Sequence, residues 1–158
     1  MREVKTLLSA LAVLSLALVI WLPQRAQAAT CKGASCNGLD PFTTGCYVDA
    51  YVASSGPIND AYTGKGQIGI VSLRWSPTCQ AGYGQTFSMI GDAYSIMART
   101  WGGYGASAPM FASNAVVVTS QLAGANRYCD LFASGVISKG PTTSSAGGGG
   151  HSGKPPCP

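Results

Sequence analysis

Sulfur and carboxylate are the reactive groups this chain offers. Cysteines stand at Cys31, Cys36, Cys46, Cys79, Cys129 and Cys157, and beyond residue 28 the acids are Asp40, Asp49, Asp60, Asp92 and Asp130. The one histidine is His151, inside a Gly-rich stretch, and the one glutamate is Glu3. Residues 29–138 therefore carry no imidazole for a Ser-His or Cys-His nucleophile and none to ligate a catalytic zinc. A glycosidase would have to bring two of the five aspartates into one cleft, with at least one shifted pKa. Asp92 and Asp130 read as turn residues before they read as an acid pair. No catalytic residue is assigned, no cofactor is implied, and a non-enzymatic protein is expected.

The densest pattern is Cys31-Lys32-Gly33-Ala34-Ser35-Cys36-Asn37-Gly38-Leu39-Asp40-Pro41, followed by Thr44-Gly45-Cys46. Three cysteines separated by turn formers predict a disulfide-stapled loop. Zinc would want four sulfur or nitrogen ligands in closer-spaced pairs, so the spacing argues against it. Calcium through Asn37, Asp40 and Asp49 competes with the ordinary use of Asn-Gly and Asp-Pro in turns, and the spacing is not that of an EF-hand. No metal ligand is assigned.

Three residues are candidates for binding. Trp101-Gly102-Gly103-Tyr104-Gly105 places Trp101 and Tyr104 on a Gly-rich loop, where aromatic faces can form a platform for a sugar ring or a protein surface. The competing reading turns Trp101 inward and packs Tyr104 over a hairpin. Arg74, between Leu73 and Trp75, points away from both. It suits a clamp for a carboxylate or phosphate, or a structural partner for Asp40 or Asp49, which is the favoured reading.

Where these groups meet solvent follows from the start of the chain. Arg2 and Lys5 precede an apolar run from Leu7 to Leu22, then Pro23 and Ala26-Gln27-Ala28. A basic region, an apolar region and an A-x-A site predict a secretory signal peptide over residues 1–28. All the cysteines follow it and are expected to meet an oxidising, extracellular compartment. The alternative is an uncleaved anchor, which would be the protein's one contact with a membrane. Beyond the cleavage site seven bases face five acids, a net charge of about +2 with no basic cluster, so a nucleic-acid partner is not expected. Charged residues make up 10% of the chain, which leaves Ser, Thr, Asn, Gln, Tyr and Gly to cover the surface.

Alternating patterns predict strands over 46–53, 67–75, 83–90, 93–101, 115–122 and 131–137. The slip of register between Ile70 and Val71 suggests a bulge or burial on both faces. Gly91-Asp92 suggests a hairpin turn between the third and fourth strands, and the Val-rich 115–122 suggests a central strand. The fold class predicted is all-β, a small disulfide-stabilised antiparallel barrel or sandwich over residues 29–138. Residues 139–158, rich in Gly, Ser and Pro, read as a flexible tail.

The elements Cys31-Lys32-Gly33, Cys36-Asn37-Gly38-Leu39-Asp40-Pro41, Gly45-Cys46, Asp49-Ala50 and Leu73-Arg74-Trp75-Ser76-Pro77-Thr78-Cys79-Gln80-Ala81 occur in this order. In combination they resemble the secreted YjfA-like bacterial proteins, a domain of unknown function, over about residues 31 to 130. Gly82-Tyr83-Gly84 departs from the Trp-Ala usual there. The resemblance implies an extracellular, compact, β-rich fold and no established enzyme activity. For the cysteines the preferred pairing is Cys31 with Cys36 and Cys46 with Cys79. Cys129 is then left to pair with Cys157 or remain free. The functional expectation is a secreted, non-catalytic protein that binds a cell-surface glycan or an extracellular protein. The alternative is a secreted inhibitor or toxin-like effector acting on a protein partner.

Overall fold

In the computed structural model, residues 28–60, 66–91, 93–140 and, for the backbone, 147–152 are described. Residues 1–27 of the expected signal segment, Asp92 and Cys157 lie outside them. The chain forms two antiparallel sheets packed face to face. The first contains β1 (Tyr51–Asn59), β2 (Gln67–Ser76), β3 (Ala81–Ser88), β7 (Val117–Thr119) and β8 (Ala123–Gly124). Its order is β1-β2-β3-β7, with β8 also paired to β3. The second contains β4 (Ser95–Gly102), β5 (Gly105–Ala106), β6 (Met110–Ala112), β9 (Leu131–Ser138) and β10 (Gly147–Ser152). Its order is β10-β9-β4-β5, with β6 also paired to β4. The sheets do not close into a barrel, so the all-β fold is sandwich-like.

Alternation decides which face of each strand is buried. Val71, Leu73 and Trp75 of β2 meet Ile96 and Ala98 of β4 and Leu131, Ala133 and Ile137 of β9 in one apolar core. The two layers come very close. A Cβ at Gly84 would come within 3.0 Å of Arg99 O on the facing sheet, and a Cβ at Gly135 would collide with the Thr86 side chain. Thr86 Oγ1 donates to Met97 O across the gap at 2.8 Å, and Thr100 Oγ1 meets Ser120 Oγ at 2.7 Å. Gly84 N donates to the same Ser120 Oγ at 2.9 Å. These buried hydroxyls replace hydrogen bonds that burial would otherwise remove.

Several sequence expectations change here. The stretch 46–49 is turn, and the strand begins at Tyr51, because Tyr47 N, Val48 N and Ala50 N bond back to Pro41 O, Gly45 O and Tyr47 O. β1 then continues through Gly56-Pro57, which only an edge strand tolerates, since Pro57 has no donor for a second neighbour. The irregularity expected at Ile70 and Val71 sits instead at Ile68, which is skipped between the Ile58–Gly69 and Asn59–Gln67 pairs. β3 and β4 are not a hairpin. They belong to opposite sheets and stack across the core, because both carry an inward face of small residues and hydroxyls. β7 is short and at an edge rather than central, with Val117 exposed. Within the segment read as a flexible tail, Gly147–Ser152 forms β10 against β9. Strand pairing uses main-chain donors and acceptors, which a Gly run retains in full.

Two stability predictions follow from these contacts. Gly135→Ala should lower the urea midpoint by the equivalent of about 1 to 3 kcal/mol, as overpacking does. Lys139 Nζ pairs with buried Asp60 Oδ2 at 3.2 Å, tying the end of β9 to the end of β1. Lys139→Met should cost roughly 1.5 to 3 kcal/mol by the same measurement.

Candidate functional site

The stapled loop forms as a second, sulfur-rich core. Cys31 bonds Cys36, and Cys46 bonds Cys79 at the β2–β3 turn. Cys129 is also disulfide-bonded, and no described cysteine is free. Around the bridges pack Ala81, Tyr83 and Leu122. Asn37 holds the loop to the rest of the fold. Its Oδ1 accepts from Gly124 N at 2.7 Å, and its Nδ2 donates to Tyr104 O at 3.4 Å.

The described carboxylates are taken up singly. Asp40 Oδ1 accepts from Phe42 N and Thr43 N within its own turn. Asp49 accepts from Ser76 Oγ at 2.5 Å and from Thr78 N at 3.0 Å. Asp60 pairs with Lys139, and Asp130 with Arg127 at 3.7 Å. Asn37, Asp40 and Asp49, weighed as calcium ligands, thus each answer to different partners. Arg74 bonds neither Asp40 nor Asp49. Its Nε donates to Gln85 Oε1 at 3.0 Å on the neighbouring strand, where Tyr83 is its directly paired residue. Asp49 is satisfied instead by Ser76 and Thr78, which the β2–β3 turn brings against the stapled segment.

Trp101 and Tyr104 do not share one platform. The turn between β4 and β5 places Gly102 and Gly103 at positive φ, and the chain reverses between them. Tyr104 is carried toward the stapled loop, where its hydroxyl bonds Asn126 Oδ1. Trp101 stays on the outward face of the second sheet, where it is half-buried. It lies opposite Phe132 in the β4–β9 register, with ring centroids 5.9 Å apart and planes 15° from parallel. Beside the rings a shallow depression of about 370 Å³ is lined by Arg99, Trp101, Ala106 and Ser134. Exposed Val136 and Phe111 extend the same face through the pairs Met97–Val136 and Met97–Phe111. Phe132, Arg99 and Ser134 were not singled out from sequence. Alternation along β4 and β9 marks their outward direction, but nothing local says that these two strands are neighbours.

A second aromatic cleft of about 310 Å³ lies between Tyr51, Trp75, Pro77, Tyr128, Asn126 and Arg127. Trp75 is almost wholly buried and forms its floor. Tyr104 reaches its rim through Asn126.

With this geometry in view, the family described as "Protein of unknown function (DUF2690)" matches residues 34–121, more than half of the chain. The chain belongs to the DUF2690 family. No curated protein and no solved structure matches it. In this DUF2690 member the matched segment runs from the stapled loop to the end of β7. Phe132 and Ser134 therefore come from beyond it, and Arg99 and Trp101 from within it.

Tyr83 and Asp49 titrate away from their ordinary values. Burial pushes the Tyr83 phenol up, against the opposing pull of Arg74. Burial also pushes the Asp49 carboxyl up, but the hydrogen bonds from Ser76 and Thr78 outweigh it and hold the group below its ordinary 3.8. A carboxyl depressed in the folded state stabilises the fold above its unfolded value, and that stability is lost as pH falls through the folded value. The urea midpoint should therefore drop below about pH 4. In Asp49→Asn this acid-dependent component should be smaller, so the two midpoints converge as pH is lowered.

Proposed function

We propose that this protein is an extracellular, non-catalytic binding module, and that its ligand is a cell-surface glycan held on the outer face of the second sheet. The observation that carries the reading is the near-parallel Trp101–Phe132 pair on a solvent-facing sheet, with Arg99 and Ser134 at its side. Sugar rings present C–H faces that pack on flat aromatic surfaces, while their hydroxyls need donors and acceptors at the edge of the ring. Arg99 offers donors only, and Ser134 offers both kinds. Absence of histidine and glutamate from residues 29–138 supports the non-catalytic part. The amino-terminal charge and hydropathy pattern, with the buried disulfides, supports secretion. The ordered cysteine and Leu-Arg motifs support placing the chain with the secreted YjfA-like kind within its family.

The exposed apolar extension through Phe111 and Val136 favours a second reading, in which the same face meets a protein partner as an inhibitor or effector would. Retention of the oxidised chain on purified bacterial cell walls separates the two. Wild type should be retained, and Trp101→Ala should lose affinity by about tenfold or more, the effect of removing roughly 1.4 kcal/mol of contact. Circular dichroism establishes that both are folded. Folded wild type that washes through would reject the glycan and direct the search to a soluble protein.

A further inference from the structure

The two bridges of the stapled loop are neighbours. The sulfurs of Cys31, Cys36, Cys46 and Cys79 all lie within 4.8 Å of one another, and all four residues are buried. Cys31 Sγ and Cys46 Sγ, which belong to different bridges, are 3.6 Å apart. A tetrahedral zinc with bonds of about 2.3 Å to four thiolates separates its sulfurs by roughly 3.8 Å. The sulfurs of different bridges are thus already near the spacing of a tetrathiolate centre, and reduction frees the two bonded pairs to open to it, although the spacing of the cysteines along the chain is not that of a zinc motif.

We propose that these four cysteines are a site for a soft divalent cation, zinc, when both disulfides are reduced. The loop then has one staple with two chemical forms, disulfide in oxidising surroundings and zinc thiolate in reducing ones. Each disulfide takes two electrons and two protons from a dithiol, which leaves as its cyclic disulfide, so that four thiols result. Zinc entry breaks four S–H bonds, releases four protons to solvent and forms four Zn–S bonds, giving a centre of charge −2.

Three features support the site. The first is access: a depression of about 360 Å³ opens over Cys31, between Thr30, Lys32, Ser35 and Thr78. The second is charge: Lys32 on that rim opposes the negative centre. The third is outer support. Cys79 N donates to Ser76 Oγ at 3.2 Å, Ser76 donates to Asp49, and Gly33 N donates to Cys79 O at 2.7 Å. These bonds hold the backbone around the ligands whether or not the sulfurs are joined. Soft thiolates select zinc over calcium and magnesium.

Cobalt(II) reports the site directly. The full chain is reduced anaerobically with dithiothreitol, freed of reductant and titrated with Co²⁺. The expected result is one cobalt per chain, the intense visible bands of a tetrahedral tetrathiolate, and their bleaching by one equivalent of Zn²⁺. The near-ultraviolet circular dichroism lost on reduction should return on loading. The oxidised chain should show no bands. Cys129→Ser/Cys157→Ser should keep the bands, and Cys36→Ser should weaken and shift them toward three-sulfur coordination. Absence of tetrathiolate bands in wild type would overturn the proposal. So would unchanged bands in Cys36→Ser, loss of the bands in a folded Cys129→Ser/Cys157→Ser, or loading that leaves the chain unfolded. If the double variant does not fold, wild type and Cys36→Ser decide.

Discussion

At Gly84 and Gly135 the two sheets of this protein approach more closely than side chains of ordinary size allow, and the surrounding core accommodates that distance. Gly84 leaves room for the Arg99 backbone and Gly135 for the Thr86 side chain, and Thr86, Thr100 and Ser120 supply hydrogen bonds in the narrow space that remains. A buried hydroxyl without a partner is costly, so the Thr86–Met97 and Thr100–Ser120 bonds fix the relative placement of the layers as well as satisfying polar atoms. Apolar contacts among Leu73, Ile96, Leu131 and Ile137 then complete the layer. The consequence reaches the outer surface. With Ala98, Thr100, Ala133 and Gly135 committed inward, Arg99, Trp101, Phe132 and Ser134 are turned outward by the pleat.

The stapled loop adds a second core at one end, built on sulfur rather than on methyl groups. Its two bridges do different jobs. Cys31–Cys36 closes a turn within the loop, whereas Cys46–Cys79 joins the loop to the β2–β3 turn. Asp49 strengthens the second link by accepting from Ser76 and Thr78 in that same turn. Asn37 extends the attachment to Gly124 and Tyr104. A chain with few charges and a modest core gains much from such closures, because they reduce the freedom of the unfolded state. Concentrating four sulfurs in one place also gives the loop a chemistry that two separated bridges would lack.

The binding face and the sulfur core come from different requirements. The face needs aromatic surface held flat and turned outward, and cross-strand pairing of the half-buried Trp101 and Phe132 provides it without help from a loop. The sulfur core needs burial and convergence, and loops provide that by folding back on a turn. Tyr104 lies between the two regions, on the turn that leaves the Trp101 strand and against the loop that carries the cysteines.

Much of the fold could be read along the chain. The strands β2, β3, β4 and β9 follow from alternation, since a half-buried strand exposes every second residue whatever its partner. The pairing of Cys31 with Cys36 and of Cys46 with Cys79 agrees with the preference drawn from the cysteine pattern, and the tight turn after Trp101 agrees with its glycines. What failed depended on partners distant in sequence. Gly91-Asp92 looks like a hairpin turn, yet β3 and β4 enter different sheets, because the inward faces of both are needed across the core. Arg74 looks like a mate for an aspartate, yet Asp49 is satisfied by Ser76 and Thr78 instead. A Gly run looks unable to order, yet its backbone pairs with β9. Trp101 was legible as a candidate, but Phe132, Arg99 and Ser134 were not, since strand adjacency sets them together and no local pattern encodes it. The sequence by itself determined the all-β class, the stapled loop and the direction each side chain takes from its strand, all of which follow from short-range geometry. Only the tertiary structure decided which strands are neighbours, which faces meet and that four cysteines converge, because those outcomes depend on packing between segments far apart in the chain.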